Sequence, residues 1–232
     1  IRVAPIAAVI TLFLLISSVF YLQHEKESKP IEYFTYISGN HISTFTLPDH
    51  TKVTLNKNSK LTYTNLFGEK LRGVTLTGEA YFEVTKDAEK HFIVSTVHCS
   101  QVEVLGTSFN IEAYEESPEV STTLIKGKVN FSFQEGVRKK QIVLNPGQKV
   151  VYDSKKGTAR LLETSGETET SWKDGKIIFD NTPLKDALRI LEKRYNVVFI
   201  QKNPARKAAF TGTFTSQRLE RILEYFKLSS NI

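Results

Sequence analysis

The sequence predicts a mainly β protein, preceded by a single transmembrane helix and followed by a smaller α+β domain. Three observations support this class. Residues 3–22 form an uncharged run of twenty apolar or small residues. Short runs of alternating apolar and polar residues then recur, separated by turn residues, and two segments near the C-terminus carry apolar residues at helical spacing. The predicted domains are residues 1–24, 30–160 and 171–232.

The N-terminal run is long enough to cross a bilayer as a helix. Twenty helical residues span about 30 Å, the thickness of the hydrocarbon core, and a helix satisfies its own backbone hydrogen bonds in lipid. The alternative is a secretory signal peptide, whose apolar core is usually about 7–15 residues long and ends at a small-residue cleavage site. The run ends instead at Phe20, Tyr21 and Leu22, which favours an anchor. Flanking charges such as Arg2 and Lys26 leave its orientation open.

The composition argues against several classes of function. The net charge of +6 is spread along the chain, with no basic stripe interleaved with aromatic residues, so nucleic-acid binding is not predicted. The single cysteine, Cys99, rules out an internal disulfide and a cysteine-based zinc site, and we interpret it as an inert strand residue. The five histidines are scattered, so neither a metal site nor a cofactor is predicted. Because methionine is absent, we expect further residues before Ile1.

The region from residue 30 to residue 160 has the rhythm of short strands. Along residues 80–84, alternate side chains (Ala80, Phe82 and Val84) share one side, as in a half-buried strand. The predicted strands are Val53–Leu55, Ser59–Thr64, Val74–Thr77, Ala80–Val84, Phe92–Thr96, Val102–Leu105, Phe109–Ala113, Thr122–Ile125, Val129–Phe133 and Val150–Tyr152. Closely spaced turn residues separate them, which predicts a β-sandwich, a barrel or a solenoid-like domain. The lack of a strict period argues against a regular solenoid of many coils.

Residues 163–170, ETSGETET, carry no large apolar residue and are predicted to be a flexible connector. The strands predicted after it are Lys176–Phe179, Val197–Ile200 and Phe210–Thr215. Thr182 and Pro183 are predicted to start one helix, and Ser216 a second. The apolar stripes of these helices are Leu184, Ala187, Leu188, Leu191 and Tyr195, and Leu219, Ile222, Leu223 and Phe226. The order is β-α-β-β-α, and we expect the domain to continue beyond Ile232.

Five motifs occur in order along the β region. They are LPDHTKVTLN at 47–56, LTGEAYFEV at 76–84, VLGTSFNI at 104–111, TLIKGKV at 123–129 and LNPGQ at 144–148. Together they resemble the successive signatures of FecR-type anti-sigma factors. The segment FDNTPL, which begins at Phe179, is similar to the small domain at the N-termini of secretins and TonB-dependent receptors. His50 stands where the family usually has glycine, which predicts a turn with a positive φ.

The resemblance implies a sensor anchored in the inner membrane by one pass, with its C-terminal region in the periplasm. In such systems, an outer-membrane TonB-dependent transporter presents its signalling domain to the anti-sigma factor. Envelope proteases then carry the signal across the membrane to an extracytoplasmic-function sigma factor. The segment that holds the sigma factor would precede Ile1. No enzymatic activity is implied apart from self-cleavage in some relatives.

The pair Gly106-Thr107 matches the bond at which some relatives cleave themselves. The mechanism would be an N-to-O acyl shift in which the Thr107 hydroxyl attacks the carbonyl of Gly106. A base and an oxyanion donor would assist it, and His91 and His98 are the histidines near this bond in the chain. The alternative is a glycine bulge followed by an ordinary strand threonine, and this reading is favoured.

The predicted docking surface is the open edge of the second domain, with Phe210, Thr211, Gly212, Thr213 and Phe214 as the contact residues. Unpaired strand edges bind partner strands through backbone hydrogen bonds. The alternative is that this domain only caps the first one. A different class of function, a membrane-anchored envelope carbohydrate-binding module, would use Tyr33, Tyr36, Tyr63 and Tyr81 for stacking on sugars. A hydrolase is disfavoured, because no G-x-S-x-G or H-E-x-x-H motif occurs.

Overall fold

The computed structural model describes residues 11–18, 30–200 and 208–230, and it divides the chain into two compact units, Ile1–Glu32 and Tyr33–Ile232. In the first unit, residues 11–18 form helix α1. The remainder of the predicted transmembrane run lies outside the described residues. No helix within the described ranges is both long enough and apolar enough to cross a bilayer.

Thirteen strands of the second unit form one connected sheet, which we call the β lobe (residues 33–163). The strands are β1 (Tyr33–Ile37), β2 (Ser43–Thr46), β3 (Lys52–Leu55), β4 (Lys60–Thr64), β5 (Arg72–Glu83), β6 (Phe92–Thr96), β7 (Gln101–Val104), β8 (Ser108–Ala113), β9 (Glu119–Lys126), β10 (Val129–Glu135), β11 (Arg138–Leu144), β12 (Gln148–Asp153) and β13 (Thr158–Glu163). Every strand predicted between residues 53 and 152 overlaps one of these. Alternating hydrophobicity was therefore a sufficient signal for this region.

The long strand β5 joins the two halves of the sheet. Residues 72–77 pair with β4 and β6, and residues 78–83 pair with β3 and β8. The pairing of β5 with β6 is parallel, whereas its other pairings are antiparallel. Because one continuous strand runs through both halves, the sheet curls as a half-barrel. Of the predicted sandwich, barrel and solenoid-like domain, the barrel is the nearest to this arrangement. The predicted mainly β class with a smaller α+β part is confirmed.

The concave side of the curled sheet encloses one apolar core. Phe82 of β5 and Phe109 of β8 are fully buried there and stack with their ring centroids 5.1 Å apart. Phe92 of β6 meets Phe82 edge-on at 6.0 Å. Each burial of such a side chain stabilises the fold by about 1.5–3 kcal/mol. This core holds the β lobe together.

Two turn residues of the β lobe have a positive φ. His50, between β2 and β3, has φ 66, which confirms the predicted turn. Cys99 has φ 55 and is exposed in the turn between β6 and β7, so its interpretation as a strand residue was wrong. The turn forms because Thr96 and Ser100 bond through both their backbones and their side chains, at 3.0 Å and 2.8 Å.

Residues 164–175, the connecting segment, are ordered against the β lobe. They contain helix α2 (Glu167–Thr170) and a 3-10 helix (Ser171–Asp174). The indole Nε1 of Trp172 donates to Oδ1 of Asn110 in β8 at 3.3 Å. The prediction that residues 163–170 form a flexible connector was wrong, because Glu163 belongs to β13, residues 167–170 form α2, and Glu169 pairs with Lys149 of β12 at 3.1 Å.

The α+β lobe (residues 176–230) contains β14 (Lys176–Pro183), α3 (Leu184–Tyr195), β15 (Ala209–Thr215) and α4 (Leu219–Ser230). Strands β14 and β15 pair antiparallel, and both helices pack their apolar stripes on them. The buried members of this second core are Ile177, Phe179, Leu184, Ala187, Leu191, Phe210, Ile222 and Phe226. Both predicted helical stripes are thus confirmed.

Three local predictions in this lobe were wrong. Val197–Ile200 is irregular and not a strand, with Ile200 90% exposed, because the Phe199 amide bonds to Glu192 of α3. Thr182 belongs to β14, where its hydroxyl accepts from the Asp180 amide, so α3 starts at Leu184. Helix α4 starts at Leu219 and not at Ser216, which has φ 61. The described order is therefore β-α-β-α.

Candidate functional site

The predicted Gly106-Thr107 pair lies between β7 and β8 and is enclosed by other backbone segments. The Thr107 side chain is buried, and its hydroxyl donates to the carbonyl of Lys128 at 3.0 Å. The carbonyl of Thr107 accepts from the amide of Val84 at 2.9 Å. Thr107 is thus held by hydrogen bonds that both its side chain and its carbonyl make to neighbouring segments.

Two glycines permit this close packing. A Cβ on Gly106 would lie 2.7 Å from the Cα of Lys86. Gly127 has φ +100, and a Cβ there would lie 2.8 Å from the Thr107 hydroxyl. Glycine is needed where backbone approaches backbone this closely. Sequence reasoning found Gly106 and Thr107 but missed Gly127 and Lys128, which come from a distant hairpin.

The described contacts of Thr107 supply no base for self-cleavage. The hydrogen-bond acceptor of its hydroxyl is a carbonyl oxygen, which does not take up a proton at neutral pH. The ring of His91 contacts Glu103, and Nε2 of His98 lies 3.1 Å from the carbonyl of Tyr114. Both histidines considered from the sequence therefore have other partners.

The predicted docking strand is β15, which pairs with β14 as the second strand of a two-stranded sheet. Phe210 is buried and stacks on Phe226 of α4 with centroids 3.8 Å apart, and Phe214 is half-buried. Thr211 and Thr213 are exposed. Among the described residues, β14 is the one strand that pairs with β15, so the far edge of β15 has no strand partner there. The strand exposes threonines and keeps its aromatic residues for its own core.

Three of the four tyrosines of the carbohydrate-binding alternative pack against other side chains, and Tyr33 is 71% exposed. Tyr36 and Tyr63 stack on each other with centroids 6.4 Å apart. Tyr36 stacks on Phe45 at 3.7 Å, and Tyr81 is 9% exposed beneath the connecting segment. Tyr63 lies against Phe34 with centroids 5.3 Å apart. The faces of the Tyr36, Tyr63 and Tyr81 rings contact other side chains of the protein.

A polar cluster that sequence reasoning missed lies on the convex face of the β lobe. Along β5 and β8, the residues that alternate with the core phenylalanines are Glu79, Tyr81, Asn110 and Glu112. The connecting segment and α3 cover this face. We call the contact between them the seam: Glu79, Asn110 and Glu112 of the β lobe with Trp172, Arg189 and Lys193.

Glu79 lies at the centre of the seam and is 5% exposed. Its two carboxylate oxygens accept from the side-chain amides of Asn110, at 2.9 Å, and Asn56, at 2.8 Å. Burial raises the pKa of Glu79, and the charge of Lys193 and the two amide bonds oppose this only in part. Glu79 is thus a hydrogen-bonded carboxyl group whose charged form is disfavoured.

Glu112 has the opposite electrostatic environment. Its carboxylate pairs with Nζ of Lys193 and lies 3.7 Å from the guanidinium of Arg189, which also reaches Glu119 at 3.5 Å. Burial acts to raise the pKa of Glu112, but the charges of Lys193 and Arg189 outweigh it and lower the pKa to about 2. Glu112 is therefore ionised at neutral pH and fixed to one face of α3.

Further contacts extend the seam around a cleft. Lys57 donates to the carbonyl of Arg194 at 3.4 Å, and Lys149 pairs with Glu169 of α2 at 3.1 Å. The ammonium of Lys193 also lies 4.7 Å from the centre of the Tyr114 ring. A cleft of about 480 Å³ remains between these groups.

Two family models match the chain, one within the β lobe and one over the α+β lobe. The model described as FecR protein matches residues 35–130, from β1 into β10, and the model described as FecR, C-terminal, matches residues 176–232, which begin at β14. The chain belongs to the FecR family. The resemblance drawn from the five sequence motifs is thereby confirmed. His50 is then a FecR residue that keeps a left-handed turn without glycine.

Two solved structures are similar to this FecR protein over both lobes. A crystal structure at 1.65 Å, assigned as an anti-sigma factor from Parabacteroides distasonis, is 28% identical and has a TM-score of 0.73. The match covers 87% of this chain and 92% of that one. A second crystal structure with the same assignment and organism, at 2.50 Å, has 28% identity and a TM-score of 0.70, covering 88% and 93%. No curated protein is similar enough to match the chain.

Proposed function

We propose that this FecR protein is the sensor portion of an inner-membrane anti-sigma factor and acts as a non-enzymatic relay. It receives a signal from an outer-membrane TonB-dependent transporter and passes it to an extracytoplasmic-function sigma factor. The observation that carries this proposal is the match of both lobes to FecR models and to solved structures assigned as anti-sigma factors. A sensor needs a surface for a partner, and within the described part of the chain the far edge of β15 has no strand partner.

The proposed location is the inner membrane, with one pass and the C-terminal region in the periplasm. The uncharged run of residues 3–22 supports the anchor. A relay across the membrane would depend on envelope proteases that act after the transporter has bound. The sigma factor would contact residues that precede Ile1.

The proposed docking strand is β15, at residues 210–214. We would measure binding of the full chain, in detergent, to the purified signalling domain of the TonB-dependent transporter encoded beside its gene. The variant Thr211→Asp with Thr213→Asp places two charges on the exposed side of β15 and leaves Phe210 and Phe214 in the core. Aspartate still offers an acceptor to the Asn181 amide, which bonds to Thr211 at 2.9 Å.

We expect the double variant to lose binding. Charged side chains on an edge strand, such as the lysines found there in natural proteins, oppose the addition of another strand. Thr158→Asp, an exposed threonine on β13, is the matched control and should bind normally. Equal binding by both variants would contradict the docking strand. If the wild-type chain bound no signalling domain, and its loss left sigma-dependent transcription unchanged, the proposed function itself would be wrong.

Self-cleavage between Gly106 and Thr107 is a separate proposal. The Thr107 oxygen would attack the carbonyl carbon of Gly106, the C–N bond would break to free the Thr107 amine, and water would hydrolyse the ester. The enclosed peptide and its two packed glycines support a special role for this bond. Thr107→Ala should leave the chain intact, whereas Thr107→Ser should still yield a fragment beginning at residue 107. If the wild-type chain stayed uncleaved, self-cleavage would be wrong and the junction would be a structural glycine bulge.

A further inference from the structure

The face of the β lobe beneath α3 has the composition of a surface and not of a core. Strand alternation places Phe82 and Phe109 in the apolar core and Glu79, Tyr81 and Asn110 on the opposite side. Glu79 and Asn110 are 5% and 3% exposed. Their burial comes from the connecting segment and α3, which lie across this face. The α+β lobe therefore covers a polar surface that water would solvate well if the lobe were absent.

Each lobe also has its own apolar core. The core of the β lobe and the core of the α+β lobe share no residue. Separation of the lobes would therefore leave the buried phenylalanines of both cores covered. Interfaces between domains of one chain that are polar and modest in size commonly permit such movement.

The contacts that hold the seam closed are charged and directional. Arg189 and Lys193 lie one helical turn apart on α3 and both reach Glu112. Trp172 adds a single hydrogen bond to Asn110. The cation side chains are 37% and 32% exposed, so water can reach them at the rim. A cleft of about 480 Å³ borders these contacts.

We propose that the seam is a dissociable docking surface whose occupant is the chain's own α+β lobe. The pairing of Glu112 with Arg189 and Lys193 is its latch. When the latch opens, the α+β lobe lifts from the β lobe with both apolar cores intact. This inference goes beyond the proposed function, because it concerns a movement within the chain and needs neither a membrane anchor nor a particular partner.

Trp172 offers a direct readout, since it is the one tryptophan of the chain and lies in the seam. We would measure acrylamide quenching and the emission maximum of Trp172 in the full chain in detergent. The variant Arg189→Gln with Lys193→Gln removes both cations of the latch. Lys185→Gln, on the exposed side of the same helix, is the matched control.

We expect the double variant to show severalfold stronger quenching and a red-shifted emission, with its far-UV circular dichroism unchanged. The control should match the wild type. The reversed pair, Glu112→Lys with Lys193→Glu, should restore more protection of Trp172 than Glu112→Lys alone, because the opposite charges meet again. Recovery in the reversed pair would tie the movement to this contact.

Two outcomes would overturn the inference. If Trp172 stayed as protected in the double variant as in the wild type, the charges would not hold the seam. If Trp172 exposure came only with loss of the circular dichroism signal, the seam would belong to one cooperative core. Neither outcome depends on binding of a transporter, so failure here leaves the proposed function standing.

Discussion

The concave core of the β lobe and its convex seam are built from the same strands, yet they are stabilised by different interactions. In β5, Phe82 is fully buried in the core and the preceding Tyr81 faces the seam. In β8, Phe109 lies in the core and the next residue, Asn110, bonds to Trp172. One side excludes water through apolar contact, and the other satisfies polar groups one by one. The difference teaches that a surface buried in the folded chain need not stay buried.

The two faces also respond differently to water. Apolar burial yields about 25 cal/mol per Å², and exposing such a surface loses all of it. Buried ion pairs are close to balanced, because desolvation offsets much of the attraction between the charges. Opening a seam made from charges therefore requires little free energy, whereas exposing the apolar core requires much more. Variants in the core and in the seam should therefore differ in how much they change the free energy of unfolding.

The largest expected effect is in the core. Phe109→Ala should lower the free energy of unfolding by about 3–5 kcal/mol, because it removes a fully buried ring that stacks on Phe82 and leaves a cavity. Urea unfolding followed by circular dichroism measures this. Phe34→Ala is the control, since Phe34 is 43% exposed and should cost much less. A similar loss from both variants would mean that burial does not distinguish the two sites.

The next effect is at the latch. Glu112→Gln should lower the free energy of unfolding at pH 7 by about 1–3 kcal/mol, since it removes a charge that accepts from Lys193. The folded pKa of about 2 lies below the ordinary 4.5. Glu112 therefore stabilises the fold fully above pH 4.5, and this contribution is lost as the pH falls toward 2. The difference between variant and wild type should shrink over that window; a constant difference would show that the charge is not responsible.

The sequence predicted the core of the β lobe better than it predicted the seam. Alternation alone predicted the core strands, because the period of two is a local property of residues such as Ala80, Phe82 and Val84. The latch could not be predicted, because Lys193 and Glu112 are 81 residues apart and either would be an ordinary surface charge in its own element. One signal was present: Asn110 lies between Phe109 and Ile111, although asparagine is depleted in strands.

Two of the corrected elements were decided by contacts with residues outside the segment concerned. Residues 163–170 have the composition of a linker, and the pairing of Glu169 with Lys149 of β12 is a contact that their own sequence does not show. Residues 197–200 have strand propensity, but the carboxylate of Glu192 takes the Phe199 amide. By contrast, the turn at His50 was predicted correctly, because its motif determines a local backbone shape. Local contacts also overturned two predictions, since the Cys99 turn depends on Thr96 and Ser100, and the Thr182 hydroxyl accepts from the Asp180 amide.

A smaller effect is expected at Glu79, with the opposite dependence on pH. Burial raises its folded pKa above the ordinary 4.5, so its charged form disfavours folding as the pH rises through that folded value. Glu79→Gln removes the charge, and we expect a change of about 1 kcal/mol or less at pH 7. The stability of this variant relative to the wild type should rise with pH, whereas that of Glu112→Gln should fall. Parallel trends for the two variants would contradict the assignment of separate roles to the two carboxyl groups.

The smallest effect should appear in the β lobe away from the seam. His50 has φ 66, a conformation that glycine adopts without strain. His50→Gly should therefore change the free energy of unfolding by about 1 kcal/mol or less, with the relief of strain partly offset by the greater freedom of glycine in the unfolded chain. Asn58→Gly, at φ 53, is the control, and should gain less because asparagine tolerates this region. In the His50→Gly variant the quenching of Trp172 should equal that of the wild type, since the His50 turn does not belong to the seam. A change in Trp172 exposure from His50→Gly would couple the hairpin to the latch and break the separation between the two faces.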